Sequence, residues 1–231
     1  MEYIHAKRKG KGNKSFQNNN TRAQEVVFKW VPVKGVRLST QENRAVYEEY
    51  KQQRAQLLKD TVYNPDGSEN KEGISRLRQA GLNDKAIYEM IGKGKTPNGY
   101  NYHHLFPRAI SGSFKDGGVQ FGDEKLTSIH DWRCMMPLSN ATGRDIHGNV
   151  HKAMEERNGP LPERPGTKLT YYIAMPLSAK EYEMYKQNPK SVKAELLIVD
   201  ANSYRTVDQR TNGAKTISVA DIAKLKTAKG R

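Results

Sequence analysis

Tyr102-His103-His104-Leu105-Phe106-Pro107 and, further along, His147-Gly148-Asn149-Val150-His151 bracket the stretch around which the chain is read. Five of the six histidines lie from His103 to His151. On an α-helix, residues four apart stand one above the other with Cβ atoms about 5–6 Å apart. His147 and His151 can therefore offer two imidazoles to one cation. The flanking residues predict that helix: Asp145 sits in its first turn, Ile146, Val150 and Met154 recur along one face, and Asn158-Gly159-Pro160 stops it.

His103 and His104 pose a different geometric problem. Neighbours on an extended strand point to opposite sides, so both can serve one site only where the strand bends or ends. Pro107 and Ser111-Gly112-Ser113 supply such an ending. One imidazole can then complete a metal shell while the other, with an unperturbed pKa of about 6.5, takes a proton from water.

A His-His pair on a strand, a loop, a second strand of the type Cys134-Met135-Met136-Pro137-Leu138 and a helix carrying His147 and His151 together resemble the HNH, or ββα-metal, nuclease family. The nearest likeness is to the nuclease colicins and to toxin domains of bacterial competition systems. Pro97-Asn98-Gly99-Tyr100-Asn101-Tyr102-His103-His104 is similar to the approach to the His pair in those toxins, and Gly81-Leu82-Asn83-Asp84-Lys85-Ala86-Ile87 to their short helix ahead of the site. The resemblance covers residues 72–160 and nothing outside them. Its implications are specific: His103, His147 and His151 as metal ligands, His104 as general base, and one divalent ion. For that ion the affinity order puts Zn²⁺ or Ni²⁺ above Mn²⁺ and Mg²⁺. The implied reaction is hydrolysis of DNA phosphodiesters with little base preference, RNA being the other substrate to test. Arg108, Arg133, Arg144 and Lys152 are near enough in sequence to hold phosphates. Two departures stand out. Many relatives begin the second strand with an Asn that orients the base loop, where this chain has Cys134 or Arg133, and a Gly-rich loop is inserted from Ser111 to Gly122.

Composition agrees with a polyanionic partner. The chain has 231 residues, a formal charge of +14 and a pI near 9.7, with hydrophobic residues at only 35%. Nucleic acid leads acidic membrane because no amphipathic or spanning helix accompanies the charge. An acidic inhibitor, or immunity, protein is the partner implied by the toxin likeness. Cys134 is the sole cysteine, so no intramolecular disulfide forms, and its apolar setting marks it as a packing residue. Residues 1–24 lack the apolar core of a signal peptide, which places the expected action in a cytoplasm, delivery by a specialised secretion route aside.

The expected class is α+β: a ββα-metal core with an N-terminal helical region and a C-terminal α+β extension. Residues 1–24 read as a flexible basic arm, 25–71 as a strand and helix region, 72–160 as the core and 161–231 as the extension. Glu25 to Leu38 alternates apolar and polar residues as a strand, with Pro32 and Gly35 implying an edge or bend. Ser39 or Thr40 caps a helix running to Lys59, packing through Val46, Tyr50 and Leu57 or Leu58. Short helices follow near Glu72–Ala80 and Asp84–Gly92. After the Pro160–Gly166 linker come a strand over Leu169–Met175, a helix over Ser178–Lys186, a strand over Glu195–Asp200 and a basic terminal helix capped by Thr216 or Ser218.

His147 and His151 taken alone are two solvated helix residues, and His103 and His104 taken alone are partly buried strand residues. Their combination carries the nuclease reading. His130, ahead of Asp131-Trp132, has no matching place and reads as structural; His5 reads as solvated, and Met135 and Met136 as core. Two rival classes stay open. One is a non-catalytic nucleic-acid-binding module whose four histidines close around a structural zinc. The other is an interaction or mobile-element protein whose histidine site is vestigial; within the nuclease reading itself, a phage or mobile-element HNH nuclease is the alternative to a toxin.

Overall fold

The computed structural model describes residues 25–121, 124–210 and 215–217. The basic arm 1–24 and the terminal helix expected to begin at Ser218 lie outside the described residues. Strand β1 (Val26–Val36) collects the first Val-rich run and joins residues far along the chain. It pairs antiparallel with β7 (Lys168–Pro176) from Phe28 to Val36, and with β8 (Glu195–Val199) only from Val26 to Lys29. Beyond Lys29 the β8 pairing stops, and β1 meets no further strand partner on that edge among the described residues until Val36 bridges Ser111; Pro32 sits in this gap. Its partner Tyr172 turns both backbone groups the other way: the N–H donates to Asn158 Oδ1 (2.7 Å) and the carbonyl accepts from Asn158 Nδ2 (2.9 Å). Pro32 thus occupies a non-hydrogen-bonded pair, where a missing N–H costs nothing.

With β9 (Tyr204–Asp208) and β10 (Lys215–Ile217) the sheet has five antiparallel strands in the order β10-β9-β8-β1-β7. The regions 25–71 and 161–231 therefore share one sheet. The β8–β9 hairpin closes through a turn in which Asp200 Oδ1 accepts from the N–H groups of Asn202 and Ser203. Thr216 is a strand residue of β10, not a helix cap, because it pairs with Val207 across the ladder.

A second layer is helical. Helix α1 (Thr40–Val62) starts in a capping box of Ser39 and Glu42. Helices α2 (Lys71–Gln79) and α3 (Asp84–Lys93) are N-capped by Asn70 and Asn83, and Gly94 closes α3 with φ 61°. Leu57, Leu58, Val62, Ile74, Leu77, Ile87 and Met90 form their shared core.

Between the two layers lies the short ribbon of β2 (Tyr100–His104) and β5 (Met135–Ala141), with β6 (Arg144–Asp145) on its far edge. Side chains alternate across it, as a period of two requires. Tyr102 and Met135 pack on the helices, while Met136 and Leu138 pack on the other side among Phe28, Tyr171, Ile173 and Leu197. Helix α5 (Ile146–Asn158) fills the gap between ribbon and five-stranded sheet. α6 (Ala179–Gln187) packs near α2, and its Glu181 pairs with Lys29. The whole is an α+β fold.

The segment expected as a Gly-rich loop from Ser111 to Gly122 is more ordered than that. It forms a short helix α4 (Gly112–Lys115) and β3 (Val119–Phe121), which pairs with β4 (Glu124–Leu126). Phe114, Val119, Phe121 and Leu126 all enter the core, so the apolar positions between the glycines decide the structure. Among the described residues no helix is long and apolar enough to cross a membrane.

α5 is fixed by polar contacts at both ends. Asn149 Nδ2 donates to the Asp200 carbonyl (3.2 Å), and Asn158 holds Tyr172 as described. Arg157 makes a bidentate pair with Glu195 (2.5 and 2.9 Å) and lies over the rings of Trp30 (4.8 Å) and Tyr172 (4.3 Å). The pair is largely buried, so removing Arg157 leaves the Glu195 carboxylate with only the exposed Arg210, 3.9 Å away. Arg157→Ala should lower the unfolding free energy by about 3 kcal/mol, read as a shift of the urea midpoint, whereas Arg78→Ala, which removes an exposed pair with Asp84, should leave the midpoint nearly unchanged.

Candidate metal centre and its cleft

His103 and His104 are the last two residues of β2, so the alternation of the strand sends them to different neighbours. His103 is buried and faces α5. Its ring stands edge-on to His147 (centroids 5.1 Å) and His151 (4.7 Å), which are 4.6 Å from each other. One nitrogen from each ring lies within 4.8 Å of the other two. Ligands of a tetrahedral ion with metal–nitrogen bonds of about 2.0–2.1 Å are separated by roughly 3.4 Å, so small rotations of the rings bring these donors into range.

The local sequence explains the presentation. Asp145 caps α5, its carboxylate accepting from the Gly148 N–H (2.8 Å). A Cβ at Gly148 would lie 2.1 Å from Asp145 Oδ2, so glycine is required for this cap. Ile146, Val150, Ala153 and Met154 face inward, leaving His147 half-buried and His151 exposed on the cleft side.

The electrostatics suit neutral ligands. Burial holds the His103 pKa well below the ordinary value, and His151 and His147 add to the effect. Burial also lowers His147, with His151 contributing and Asp145 opposing. In His151 burial again dominates, against Glu155 and Asp145. Three uncharged imidazoles need release no proton before ligating a cation. His103 Nε2 is moreover buried without a hydrogen-bond partner, a vacancy a metal–nitrogen bond or a solvent contact would fill. The set fits a divalent transition ion with a place left for solvent.

His104 does not join this cluster. Its ring meets Tyr50 edge-on at 4.9 Å, and Nε2 is buried without a partner. Burial, then Arg108 and His130, push its pKa down to about 3. A closed shell of four histidines is therefore not formed. His130, expected to be structural, is nearer to the site than that: its ring is 6.2 Å from His104, with Nε2 3.4 Å from Glu49 Oε2, which makes it a neighbour of the base candidate and not a ligand.

Both strand histidines open on one cleft of about 1010 Å³. Asn43, Tyr47, Tyr50 and Arg54 of α1 line one wall, and Met154, Glu155, Leu161 and Tyr171 line the wall behind His147 and His151. Of the four cations expected at phosphates, only Arg108 lines the cleft. Its guanidinium lies 4.6 Å from the Tyr47 ring centre and has no carboxylate partner among the described residues. Arg133 is occupied elsewhere, held by Asp131 (2.8 and 2.7 Å) and paired with Glu124. Arg144, in β6, and the exposed Lys152 do not line the cleft.

Sequence reasoning passed over Arg76, which braces the turn ahead of β5. Its buried guanidinium donates to the carbonyls of Arg133 (2.6 Å) and Trp132 (3.5 Å), and the Leu105 N–H donates to the Cys134 carbonyl (2.8 Å). No Asn at the head of β5 is needed for that. Cys134 itself is buried, with its thiol pushed up by burial, as befits packing. The chain matches no protein-family model, no curated protein and no solved structure.

A ligand that binds only the folded protein raises its stability by about 2.7 kcal/mol at a hundred times Kd. Zn²⁺ or Ni²⁺ should therefore raise the melting temperature of the wild type. His103→Ala, His147→Ala and His151→Ala should each lower metal affinity by more than about a hundredfold, since loss of a ligand exceeds the 10–100-fold typical of an outer-shell partner. Titration calorimetry checks this, with His130→Ala retaining one ion per chain.

Proposed function

We propose that the protein is a metal-dependent endonuclease that hydrolyses DNA phosphodiester bonds with little base preference. The carrying observation is the division of labour at the end of β2. His103 turns to His147 and His151, while His104, one residue on, lines the same cleft with an Nε2 that is buried and has no hydrogen-bond partner. An ion held by His103, His147 and His151 supplies, when bound, polarisation of a phosphate oxygen and stabilisation of charge on the leaving 3′ oxygen.

The chain's own residues do the rest. His104 stays neutral at any physiological pH, so its imidazole is in the form that accepts a proton from an attacking water admitted to the ring. Arg108 contributes to holding that ring's pKa down, and a phosphate anion entering beside Arg108 offsets the guanidinium charge and raises the basicity of His104 where it is used. Contacts to metal and phosphate do not read base edges, hence the low base preference. The succession β2, β5, α5, each carrying its histidines or their packing partners, supports the likeness to HNH nucleases. The likeness ahead of His103 extends the proposal to a toxin of bacterial competition with an acidic inhibitor, a partner that suits a charge of +14.

Incubation with supercoiled plasmid and Mg²⁺, Mn²⁺, Ni²⁺ or Zn²⁺ tests the reading. The wild type should nick and linearise the plasmid, and His104→Ala should slow cleavage by about 10²–10⁴-fold while still binding metal. Plasmid left intact with every ion and at every salt concentration, in a protein that binds DNA tightly, would leave a binding module and no enzyme. Degradation of RNA alone would keep the chemistry and change the substrate.

A further inference from the structure

Helix α1 lies outside the stretch that resembles a nuclease, yet it forms a wall of the cleft. Asn43, Tyr47, Tyr50 and Arg54 are spaced by four, three and four residues, which places them in one row along the helix. Packing does not account for the row. Tyr50 is buried, but Leu57, Leu58 and Val62 carry most of the contact with α2 and α3, and Tyr47 is 42% exposed. Lys51, paired with Glu48, has its Nζ 5.1 Å from the Tyr47 ring centre, and two further cations flank the rings without a carboxylate partner among the described residues. Arg108 lies on Tyr47, and Arg54 donates from Nη2 to Thr96 Oγ1 (3.1 Å) while its Nε is buried and unpartnered. Ring-centre steps of 4.9 Å from His104 to Tyr50 and 6.3 Å from Tyr50 to Tyr47 put this surface beside the base candidate.

We infer that this row, with Arg108, binds an unstacked stretch of polynucleotide adjoining the bond to be cut. A base displaces the Lys51 ammonium from over the Tyr47 ring and lies against it, and the phosphates on either side of it reach Arg108 and Arg54. An aromatic ring between guanidinium groups is what single strands use: the ring takes the base face and the cations take the backbone. A duplex offers no free base face, since each is covered by its neighbour in the stack, so duplex DNA gains only the phosphate contacts. The site therefore favours single-stranded or locally opened substrate. The position of the row beside a scissile bond rests on the nuclease reading above, whereas the binding itself needs none of the histidines.

Fluorescence anisotropy of the full chain in EDTA separates the two. The probes are a short labelled oligodeoxynucleotide of mixed sequence and its duplex. Tyr47→Ala should weaken single-strand binding roughly tenfold and leave duplex binding unchanged, while Tyr47→Phe should keep the wild-type affinity for both. Arg54→Ala and Arg108→Ala should weaken both probes and each reduce the single-strand salt slope by about 0.7. Melting temperatures of the variants guard against misfolding, to which the exposed Tyr47 is least prone. Single-strand binding that ignores Tyr47→Ala, or equal losses on strand and duplex, would overturn the inference. Tyr47-dependent binding in a protein that cuts nothing supports it and sinks only the nuclease reading; cleavage with Tyr47-independent binding does the reverse.

Discussion

The buried pair of Arg157 and Glu195 is the contact on which the arrangement of the histidines depends. It ties the last turn of α5 to β8, and the guanidinium reaches β1 and β7 through the rings of Trp30 and Tyr172. Asn158 pins the same end by replacing a strand partner for Tyr172. With the helix held against the sheet in this way, its opposite face must meet the β2–β5 ribbon. His147 and His151 are thereby set opposite His103. A charged pair taken out of water is costly and returns little net stability compared with apolar residues of the same size. What it contributes is one orientation of the helix.

A second constraint is the alternation of β2. Adjacent histidines on a strand receive different environments without any special device, and here one faces two imidazoles and the other a tyrosine wall. Both are neutral for the same reason, loss of hydration of the charged form, but with different neighbours adding to it: histidines for His103 and a guanidinium for His104. The loop before β5 is held by Arg76 from α2, so the helical layer supports the ribbon from the side opposite α5. The three layers meet at the end of β2, which is why the cleft opens there.

Much of this was legible in short-range patterns. The row of His147 and His151 and the helix starts near Ser39, Asp84, Asp145 and Ser178 are properties of a few consecutive residues, and each helix begins close to where the spacing put it. Where glycines punctuate short apolar runs, as around Phe114 and Val119, composition pointed to a loop and tertiary burial produced a helix and a hairpin. The polar strand β9 was missed because its ordering comes from pairing with β8, not from an apolar alternation of its own.

By itself the sequence determined the α+β class, the two histidine pairs and the surplus of positive charge, because period, capping and composition are read within one or two turns of chain. Tertiary structure alone decided that β1 lies between β7 and β8, that His104 stands apart from the other three imidazoles, that Arg108 and not Arg133 faces the cleft, and that α1 supplies its second wall. These depend on contacts between residues far apart in the chain, as in the bond from Trp30 to Thr206, 176 positions on. No local pattern encodes such pairings, since they arise only when separate apolar faces are buried against one another.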